Sequence, residues 1–307
     1  MAKSKDKDKS KEDKTRKAFL EQLAQAQSAP VQAETYLGDL RLALTLADQV
    51  DEITLARFGA HDLDVEHKDD ETPVTDADLK AEQFLRDQLA RTRPDDLVLG
   101  EEFGGSKVSK LAKIQAARSR AWVLDPIDGT ANYVRRVPVW ATLIGLVADG
   151  RPAVGVVSAP ALGARWFAAA GYGAWKGAGL DSAVQLKVSK TKRLGDAFMS
   201  YSSLSDWEDQ GRLPGFIRLV GDLGRTRGFG DFWSYMLVAE GAVDLAAEPE
   251  LAPHDMVAVA PIVTEAGGMF TDTRGKVVGP FGSDALASNG RLHDRVTPYL
   301  RPKASRS

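Results

Sequence analysis

Two aspartates three residues apart, Asp125 and Asp128, follow a short apolar run in the segment Ala121-Trp-Val-Leu-Asp-Pro-Ile-Asp-Gly-Thr130. The apolar residues predict a buried strand, Pro126 is expected to end its hydrogen-bond ladder, and Gly129 is expected to open a turn. Two carboxylates at the end of a buried strand repel each other unless a cation lies between them. Because no Lys or Arg occurs between residues 122 and 131, a divalent metal ion is the expected partner.

The residues after the two aspartates favour phosphate chemistry. Thr130 adds a hydroxyl beside the expected cation, and a helix that begins after Asp128 would point its free N–H groups at the same place, where they suit a phosphate group. An isolated Asp-x-x-Asp pair is more typical of a surface turn with a capping Asp. Other acidic segments therefore decide between the two interpretations.

Acidic residues also stand in three other segments. These are Thr72-Pro-Val-Thr-Asp-Ala-Asp78, Leu99-Gly-Glu-Glu102, and His254-Asp-Met-Val-Ala followed by Thr264-Glu-Ala-Gly-Gly268. Each alone is typical of a helix-start acid or a solvated charge. Together they place carboxylates at the ends of four separate elements, and oxygen-only ligands suit Mg²⁺.

The four segments resemble the signatures of the inositol monophosphatase-like family of metal-dependent phosphatases, over roughly residues 36–300. The resemblance implies a layered sandwich of alternating helix and sheet layers. Within the family, the chain most resembles the histidinol-phosphate phosphatases of actinobacterial type. That likeness lies in Gly100-Glu-Glu-Phe-Gly-Gly-Ser106, Val137-Pro-Val-Trp-Ala141, Val157-Ser-Ala-Pro-Ala161, Gly230-Asp-Phe-Trp-Ser-Tyr and Ala247-Glu-Pro249.

The resemblance also implies roles for residues, with two or three Mg²⁺ ions in each active site. The first ion would be held by Glu101, Asp125 and the Ile127 carbonyl. The second would be held by Asp125, Asp128 and Asp255. Thr130 and Asp76 would form a hydrogen-bonded pair that, with Glu101, orients the attacking water. The N–H groups of Gly129 and Thr130 would face the phosphate.

The resemblance places the substrate-selecting residues later in the chain, at Arg227, Gly230, Asp231 and Glu248. Carboxylates at Asp231 and Glu248 would suit a cationic amino alcohol such as histidinol, although an acid can also accept hydrogen bonds from inositol hydroxyls. Inositol-1-phosphate and fructose-1,6-bisphosphate therefore stay open as substrates. A non-catalytic protein that binds sugar phosphates is the alternative from another class, and the intact acid set argues against it.

Two further residues near these segments have open roles. Lys68 could contact the phosphate or stabilise the metal-binding acids. His254 stands where the family often has Trp, and it could pack in the same place or bind a metal.

Periodicity predicts an α+β chain whose antiparallel strands come first and whose helices and strands alternate later. Predicted helices cover residues 40–54, a stretch beginning at a Thr75–Asp78 capping box, 215–223, 232–240 and 255–266, and a final helix runs to residue 300. Predicted strands include 97–99, 122–125, 140–147, 153–157, 165–170, 171–175, 184–188, 197–200 and 243–247. Within helix 255–266, Pro261 is expected to cause a kink.

The change of pattern divides the chain near residue 187. Residues 36–187 are expected to form an antiparallel-sheet subdomain that holds the metal site. Residues 188–300 are expected to form a smaller α/β subdomain with the substrate side and one metal ligand. Residues 1–35 are predicted to be a disordered or weakly helical charged tail, residues 107–120 a mobile basic loop, and residues 301–307 a short tail.

Composition limits the class of protein. The 307 residues are 43% hydrophobic and 27% charged, with a net charge of −3, which argues against general nucleic-acid or membrane binding. With no cysteine, disulfides and thiolate chemistry are excluded. A cytoplasmic enzyme acting on a small phosphate ester is expected, and the resemblance implies a homodimer. The Lys-rich N-terminus leaves an RNA-binding arm as an alternative.

Overall fold

The computed structural model describes residues 35–68, 71–103, 120–277 and 282–301. The charged tail up to residue 34, all but the last residue of the basic insert 107–120, and residues 302–307 lie outside this part, so the expectations for them stay predictions. None of the described helices is long and apolar enough to cross a membrane.

The described chain forms two large sheets, one small hairpin and helices between and outside them. The helices are α1 (Leu37–Arg57), α2 (Asp76–Thr92), α3 (Thr130–Val134), α4 (Leu204–Asp209), α5 (Leu213–Asp222), α6 (Asp231–Ala239), α7 (Pro253–Val257), α8 (Val259–Glu265) and α9 (His293–Leu300). The strands are β1 (Val65–His67), β2 (Pro73–Thr75), β3 (Leu97–Gly100), β4 (Ala121–Asp128), β5 (Ala141–Ala148), β6 (Arg151–Ala159), β7 (Ala164–Ala169), β8 (Gly173–Lys176), β9 (Val184–Gln185), β10 (Phe198–Tyr201), β11 (Arg225–Gly228), β12 (Leu245–Glu248), β13 (Met269–Thr271) and β14 (Ala285–Ser288).

The two sheets and their helices stack in five alternating layers. The first sheet has the order β3-β4-β5-β6-β7-β8-β9 and is antiparallel except where β3 pairs with β4. The second has the order β11-β10-β12-β14-β13, with β10 parallel to both neighbours. Helices α1 and α2 cover the outer face of the first sheet, α6, α7 and α8 lie between the sheets, and α5 and α9 cover the second sheet. This arrangement confirms the predicted layered sandwich.

Most predicted elements are present with small shifts of their ends. The helix predicted for residues 40–54 is present as α1, and its apolar residues Leu40, Ala43, Ala47 and Val50 are fully buried. The meander from β5 to β9 is antiparallel as predicted, although β9 is only two residues long. In the second half, α4 and β11 were not predicted, because their sequences are polar and lack a clear period. One final strand was predicted before the last helix, and the structure has two, β13 and β14.

Strand β4 does not end at Pro126 as predicted. It continues to Asp128 through a β-bulge. Asp125 pairs with Leu143 and Asp128 pairs with Ala141, so the chain advances three residues on β4 but only two on β5. In a regular strand, residues three apart point to opposite faces. The extra residue of the bulge corrects this alternation and lets both aspartates face the same side of the sheet.

The helix predicted for residues 255–266 is interrupted at Ala258, which divides it into α7 and α8. Pro261 is the third residue of α8 and has no N–H to donate to the carbonyl of Val257, where α7 ends, so the interruption matches the kink predicted for this proline. The junction packs on two glycines that pair across β5 and β6, Gly145 and Gly155. A Cβ on Gly155 would lie 1.9 Å from the Ala258 carbonyl oxygen, so glycine allows this close approach.

This packing predicts a stability cost for the Gly155→Ala variant. The added methyl group must push the Ala258 backbone away from the sheet, which should lower the free energy of unfolding by about 1–3 kcal/mol. Urea denaturation would measure the change. Gly179→Ala is the matched control, because nothing lies within 4 Å of its added Cβ, and it should stay within about 0.5 kcal/mol of the wild type. Equal stability of both variants would contradict the proposed packing.

Candidate active site

A cavity of about 660 Å³ lies where the two sheets meet, at the C-terminal end of β4. Its walls come from the end of β3, the β4–α3 turn, the residues after β10, the start of α6, and α7. The cavity brings together nine of the predicted site residues: Glu101, Asp125, Ile127, Asp128, Gly129, Thr130, Gly230, Asp231 and Asp255. Three other predicted residues, Asp76, Arg227 and Glu248, do not line it.

Carboxylates in the cavity form two groups that share Asp125. One ligand atom from each of Asp125, Asp128 and Asp255 lies within 4.8 Å of the others, and the same holds for Glu101, Asp125 and His254. Asp125, Asp128 and Asp255 are the set predicted for the second metal ion. The group of Glu101, Asp125 and His254 contains two predicted ligands of the first ion and adds His254, whose role the sequence left open.

Electrostatics show that the shared residue needs a cation. Burial, followed by the charges of Glu101, Asp128 and Asp255, raises the pKa of Asp125 well above its usual value. Within the described part of the chain, its Oδ1 atom is buried without a hydrogen-bond partner. Because a buried carboxylate with acidic neighbours is unfavourable unless a cation neutralises it, these oxygen ligands fit a divalent metal ion.

Backbone N–H groups hold two of the acids in place. The Ala252 N–H donates to Oδ2 of Asp255 over 2.7 Å, which closes the first turn of α7 around that carboxylate. The Phe232 N–H, in the first turn of α6, donates to Oδ2 of Asp128 over 2.8 Å. Desolvation and the charges of Asp231 and Asp255 nevertheless raise the pKa of Asp128 well above its usual value.

Lys68 contacts the acids in this structure. Its ammonium lies 2.7 Å from Oε1 of Glu101 and 2.8 Å from Oε1 of Glu102. Burial would raise the pKa of Glu101, but His254 and Lys68 outweigh it and hold that pKa below its usual value. Of the two roles left open for Lys68, the observed contact matches stabilisation of the acids.

The predicted Thr130–Asp76 hydrogen bond is absent, and the assignment of Asp76 needs correction. Asp76 is the first residue of α2 and pairs outward with Arg57 at 3.1 Å and Lys80 at 2.6 Å. The Thr130 hydroxyl donates instead to the Ile127 carbonyl over 3.0 Å. Asp76 is therefore held by cations outside the cavity rather than by the metal-binding turn.

Asp78, two residues later, is the acid of this segment that faces the cluster. It is fully buried, and its Oδ2 accepts the Thr75 N–H in the predicted capping box, at 2.8 Å. Its Oδ1 has no hydrogen-bond partner among the described residues. Burial, opposed in part by its Thr75 bonds, and the charge of Glu101 raise its pKa to about 6. The sequence analysis treated this residue only as a helix-start signal.

On the substrate side, Asp231 is held in a strained conformation. Its φ of 46° lies in the left-handed region, which is costly for a residue with a side chain. The Asn132 amide donates to Oδ2 of Asp231 over 3.1 Å, and the Asp231 N–H donates to the Ser202 hydroxyl over 2.9 Å. Burial and the charge of Asp255 raise the pKa of Asp231 to about 6.

Glu248 lies behind the cavity wall, and Arg227 lies away from it. Glu248 is only 7% exposed, and burial together with Asp231 and Asp255 raises its pKa to about 8. Neither its Oε1 atom nor the buried Tyr235 hydroxyl has a partner with hydrogen-bond geometry in the described chain. Arg227 was predicted on the loop before α6, but it belongs to exposed strand β11 and donates to the Thr226 carbonyl.

Comparison with known proteins identifies the family. Residues 39–304 match the inositol monophosphatase family. The chain belongs to this family. It is therefore a metal-dependent phosphatase that acts on small phosphate esters, which confirms the predicted enzyme class.

The relatives and solved structures agree with this assignment. The chain is 55% identical to the histidinol-phosphatase of Streptomyces coelicolor, covering 87% of this chain and 98% of that protein. It is 53% identical to the histidinol-phosphatase of Mycobacterium tuberculosis, covering 85% and 97%. The solved inositol monophosphatase from Zymomonas mobilis superposes with a TM-score of 0.74 at 30% identity, covering 87% of this chain and 99% of that one.

Asp128→Asn should weaken activity and the stabilisation by added metal, but it should not lower the stability of the metal-free protein. Phosphate release should fall by more than about 100-fold, about 2.7 kcal/mol. Without metal, the variant should unfold at the same temperature as the wild type or higher, because one repelling charge is removed. Added Mg²⁺ should raise the melting temperature of the wild type more than that of the variant.

The control for this comparison is Asp181→Asn, at an exposed aspartate that does not line the cavity. It should keep both the wild-type activity and the wild-type response to Mg²⁺. An Asp128→Asn protein with normal turnover, or with an unchanged Mg²⁺ response, would contradict the metal-binding role of Asp128.

Proposed function

We propose that this phosphatase hydrolyses L-histidinol phosphate to L-histidinol and phosphate, with Mg²⁺ as its metal. The observation that carries the proposal is a pair of acids beyond the metal ligands, Asp231 beside the Gly129 turn and Glu248 behind the cavity wall. The names of its two actinobacterial relatives support the same substrate.

In this proposal, the acids divide between two metal positions. Glu101, Asp125 and the Ile127 carbonyl hold one ion, with His254 close enough to contribute. Asp125, Asp128 and Asp255 hold another. Oxygen ligands suit Mg²⁺, and when bound the ions supply charge neutralisation on the phosphate group and a water of lowered pKa.

The protein's own groups then bind and orient the phosphate ester. The N–H groups of Gly129 and Thr130 begin α3 and border the cavity, where they suit phosphate oxygens. Gly129 has a φ of 84°, and a Cβ there would lie 3.0 Å from the Val139 carbonyl oxygen and 3.2 Å from Oδ2 of Asp231. Glycine therefore lets this turn fit closely beside Asp231. We assign the water-orienting role once predicted for Asp76 to Asp78.

Helix α6 and strand β12 supply a binding position for an amine. An ammonium group near Asp231 and Glu248 would replace repulsion between two enclosed acids with attraction, and would lower the pKa of both. The Tyr235 hydroxyl, which lies beside the Glu248 carboxylate, could join that hydrogen-bond network. Inositol-1-phosphate and fructose-1,6-bisphosphate carry no cation, so they would leave both acids uncompensated.

The substrate is tested by phosphate release with Mg²⁺ from histidinol phosphate, inositol-1-phosphate and fructose-1,6-bisphosphate. We expect kcat/KM for histidinol phosphate to exceed the others by about 100-fold, or about 2.7 kcal/mol of transition-state discrimination. A flat profile would reject histidinol phosphate as the preferred substrate while leaving the phosphatase activity intact.

The role of the acid pair is tested by Glu248→Gln. Because glutamine keeps the volume but removes the charge, kcat/KM for histidinol phosphate should fall by about 10-fold or more. Hydrolysis of an aryl phosphate that carries no amine should change little. Glu250→Gln is the matched control, since Glu250 is an exposed neighbour bonded only to Gln210 over 2.7 Å among the described residues. Equal losses on both substrates would reject amine recognition by Glu248.

The homodimer and the cytoplasmic location remain predictions, as does the role of the Lys-rich tail. Comparing RNA binding by the full chain with that of a chain lacking residues 1–35 would test the alternative that the tail is a nucleic-acid-binding arm.

A further inference from the structure

Helix α2 carries a fully buried acid, Glu82, that is outside the cavity and has no role in the site described above. It lies one turn after Asp78, so two acids share one buried face of the helix. Like charges at this spacing destabilise an isolated helix, and a buried carboxylate is costly unless it is fully hydrogen-bonded. Its position therefore calls for specific partners.

Those partners are an arginine and the backbone of the turn that follows β3. Oε1 of Glu82 accepts the Arg86 Nε–H over 2.7 Å and the Phe103 N–H over 3.0 Å. Oε2 accepts the Glu102 N–H over 2.7 Å. One carboxylate thus binds two consecutive backbone N–H groups of the turn, and Arg86 balances its charge.

The turn is shaped to receive this carboxylate. A Cβ built on Gly100 would lie 1.9 Å from Oε1 of Glu82 and 2.1 Å from its Cδ atom. A side chain at this position would displace the carboxylate, so glycine leaves the space that the carboxylate fills. Gly100 and Glu82 are complementary parts of one contact.

The same turn carries Glu101 into the acid cluster. Glu101 stands between Gly100 and the two bound N–H groups, and its carboxylate lies near Asp125 and His254. Repulsion from Asp125 favours movement of Glu101 away from the cluster. A backbone fixed on both sides of Glu101 opposes that movement.

We propose that Glu82 is a positioning residue that fixes the turn from Gly100 to Phe103 and thereby sets the divalent-cation affinity of the site containing Glu101. The inference rests on the metal role of Glu101 in the proposed function. The contact between Glu82 and the turn is made by protein groups alone, so it can be tested separately in metal-free protein.

The first test is Glu82→Gln, which keeps the side-chain volume but replaces one accepting oxygen with an NH₂ group that cannot accept a hydrogen bond. Hydrogen exchange of the Glu102 and Phe103 amides in metal-free protein should accelerate by about 10-fold or more. The Mg²⁺ dissociation constant from calorimetry should rise by about 10- to 100-fold. At saturating Mg²⁺, kcat should return close to the wild-type value.

Glu265→Gln is the matched control. Glu265 likewise binds two backbone N–H groups, those of Gly171 and Gly173, each over 3.0 Å, but it does not line the active-site cavity. The Glu265→Gln variant should be less stable than the wild type but should have the same Mg²⁺ dissociation constant. A similar loss of Mg²⁺ affinity in both variants would mean that general destabilisation causes the effect, and would overturn the proposal.

Gly100→Ala gives an independent variant if Glu82→Gln does not fold. It displaces the carboxylate without removing it, so it should reproduce the faster amide exchange and the weaker Mg²⁺ binding. The double variant should bind Mg²⁺ no more weakly than the poorer single variant, since both changes break one contact. Independent, additive losses would contradict the coupling of Glu82 with Gly100.

The two measurements separate this inference from the proposed function. Unchanged exchange of the Glu102 and Phe103 amides in Glu82→Gln would overturn the positioning role. Faster exchange with unchanged Mg²⁺ affinity would overturn the link to the metal site. Wild-type protein that binds no Mg²⁺ would instead reject the proposed metal, whatever the exchange data show.

Discussion

Repulsion among carboxylates around Asp125 is the constraint on which the rest of the site depends. Asp125 is 2% exposed, and the charges of Glu101, Asp128 and Asp255 all raise its pKa. A chain would normally separate such groups, because each unpaired buried charge costs several kcal/mol. Holding them together requires stability from elsewhere in the fold. The five-layer core provides it, since helices or sheets cover both faces of each sheet.

The elements around the cluster share one means of holding acids in place, which is the backbone N–H group. Asp128 receives one from the start of α6, and Asp255 receives one from Ala252 at the start of α7. These bonds orient each carboxylate while leaving other oxygen atoms for a cation. Hydrogen bonds of this kind fix the carboxylates in the orientation that a cation requires.

The sequence predicted most of the elements from local signals, and it predicted the metal-binding acids from their places at element ends and from the family resemblance. Apolar periodicity located α1 and the strands of the meander, and acids at element ends located Glu101, Asp125, Asp128 and Asp255. The errors arose where tertiary contacts decide. A bulge cannot be inferred from the composition of β4, and the close packing of Ala258 on the first sheet needs glycines about a hundred residues earlier. The choice between Asp76 and Asp78 depends on which face of α2 is buried.

The two sheets divide the chemistry between them. Strands and turns of the first sheet supply Glu101, Asp125 and Asp128, whereas Asp231 and Glu248 belong to the second sheet and its covering helix. From the second half of the chain, α7 between the sheets adds both His254 and Asp255 to the two metal-binding groups. The two sides meet at the start of α6, where the Phe232 N–H binds Asp128 and the charge of Asp231 raises the pKa of Asp128. A change on the substrate side that keeps the Phe232 N–H in place leaves that metal ligand oriented, and a fold of this kind can serve more than one phosphate ester.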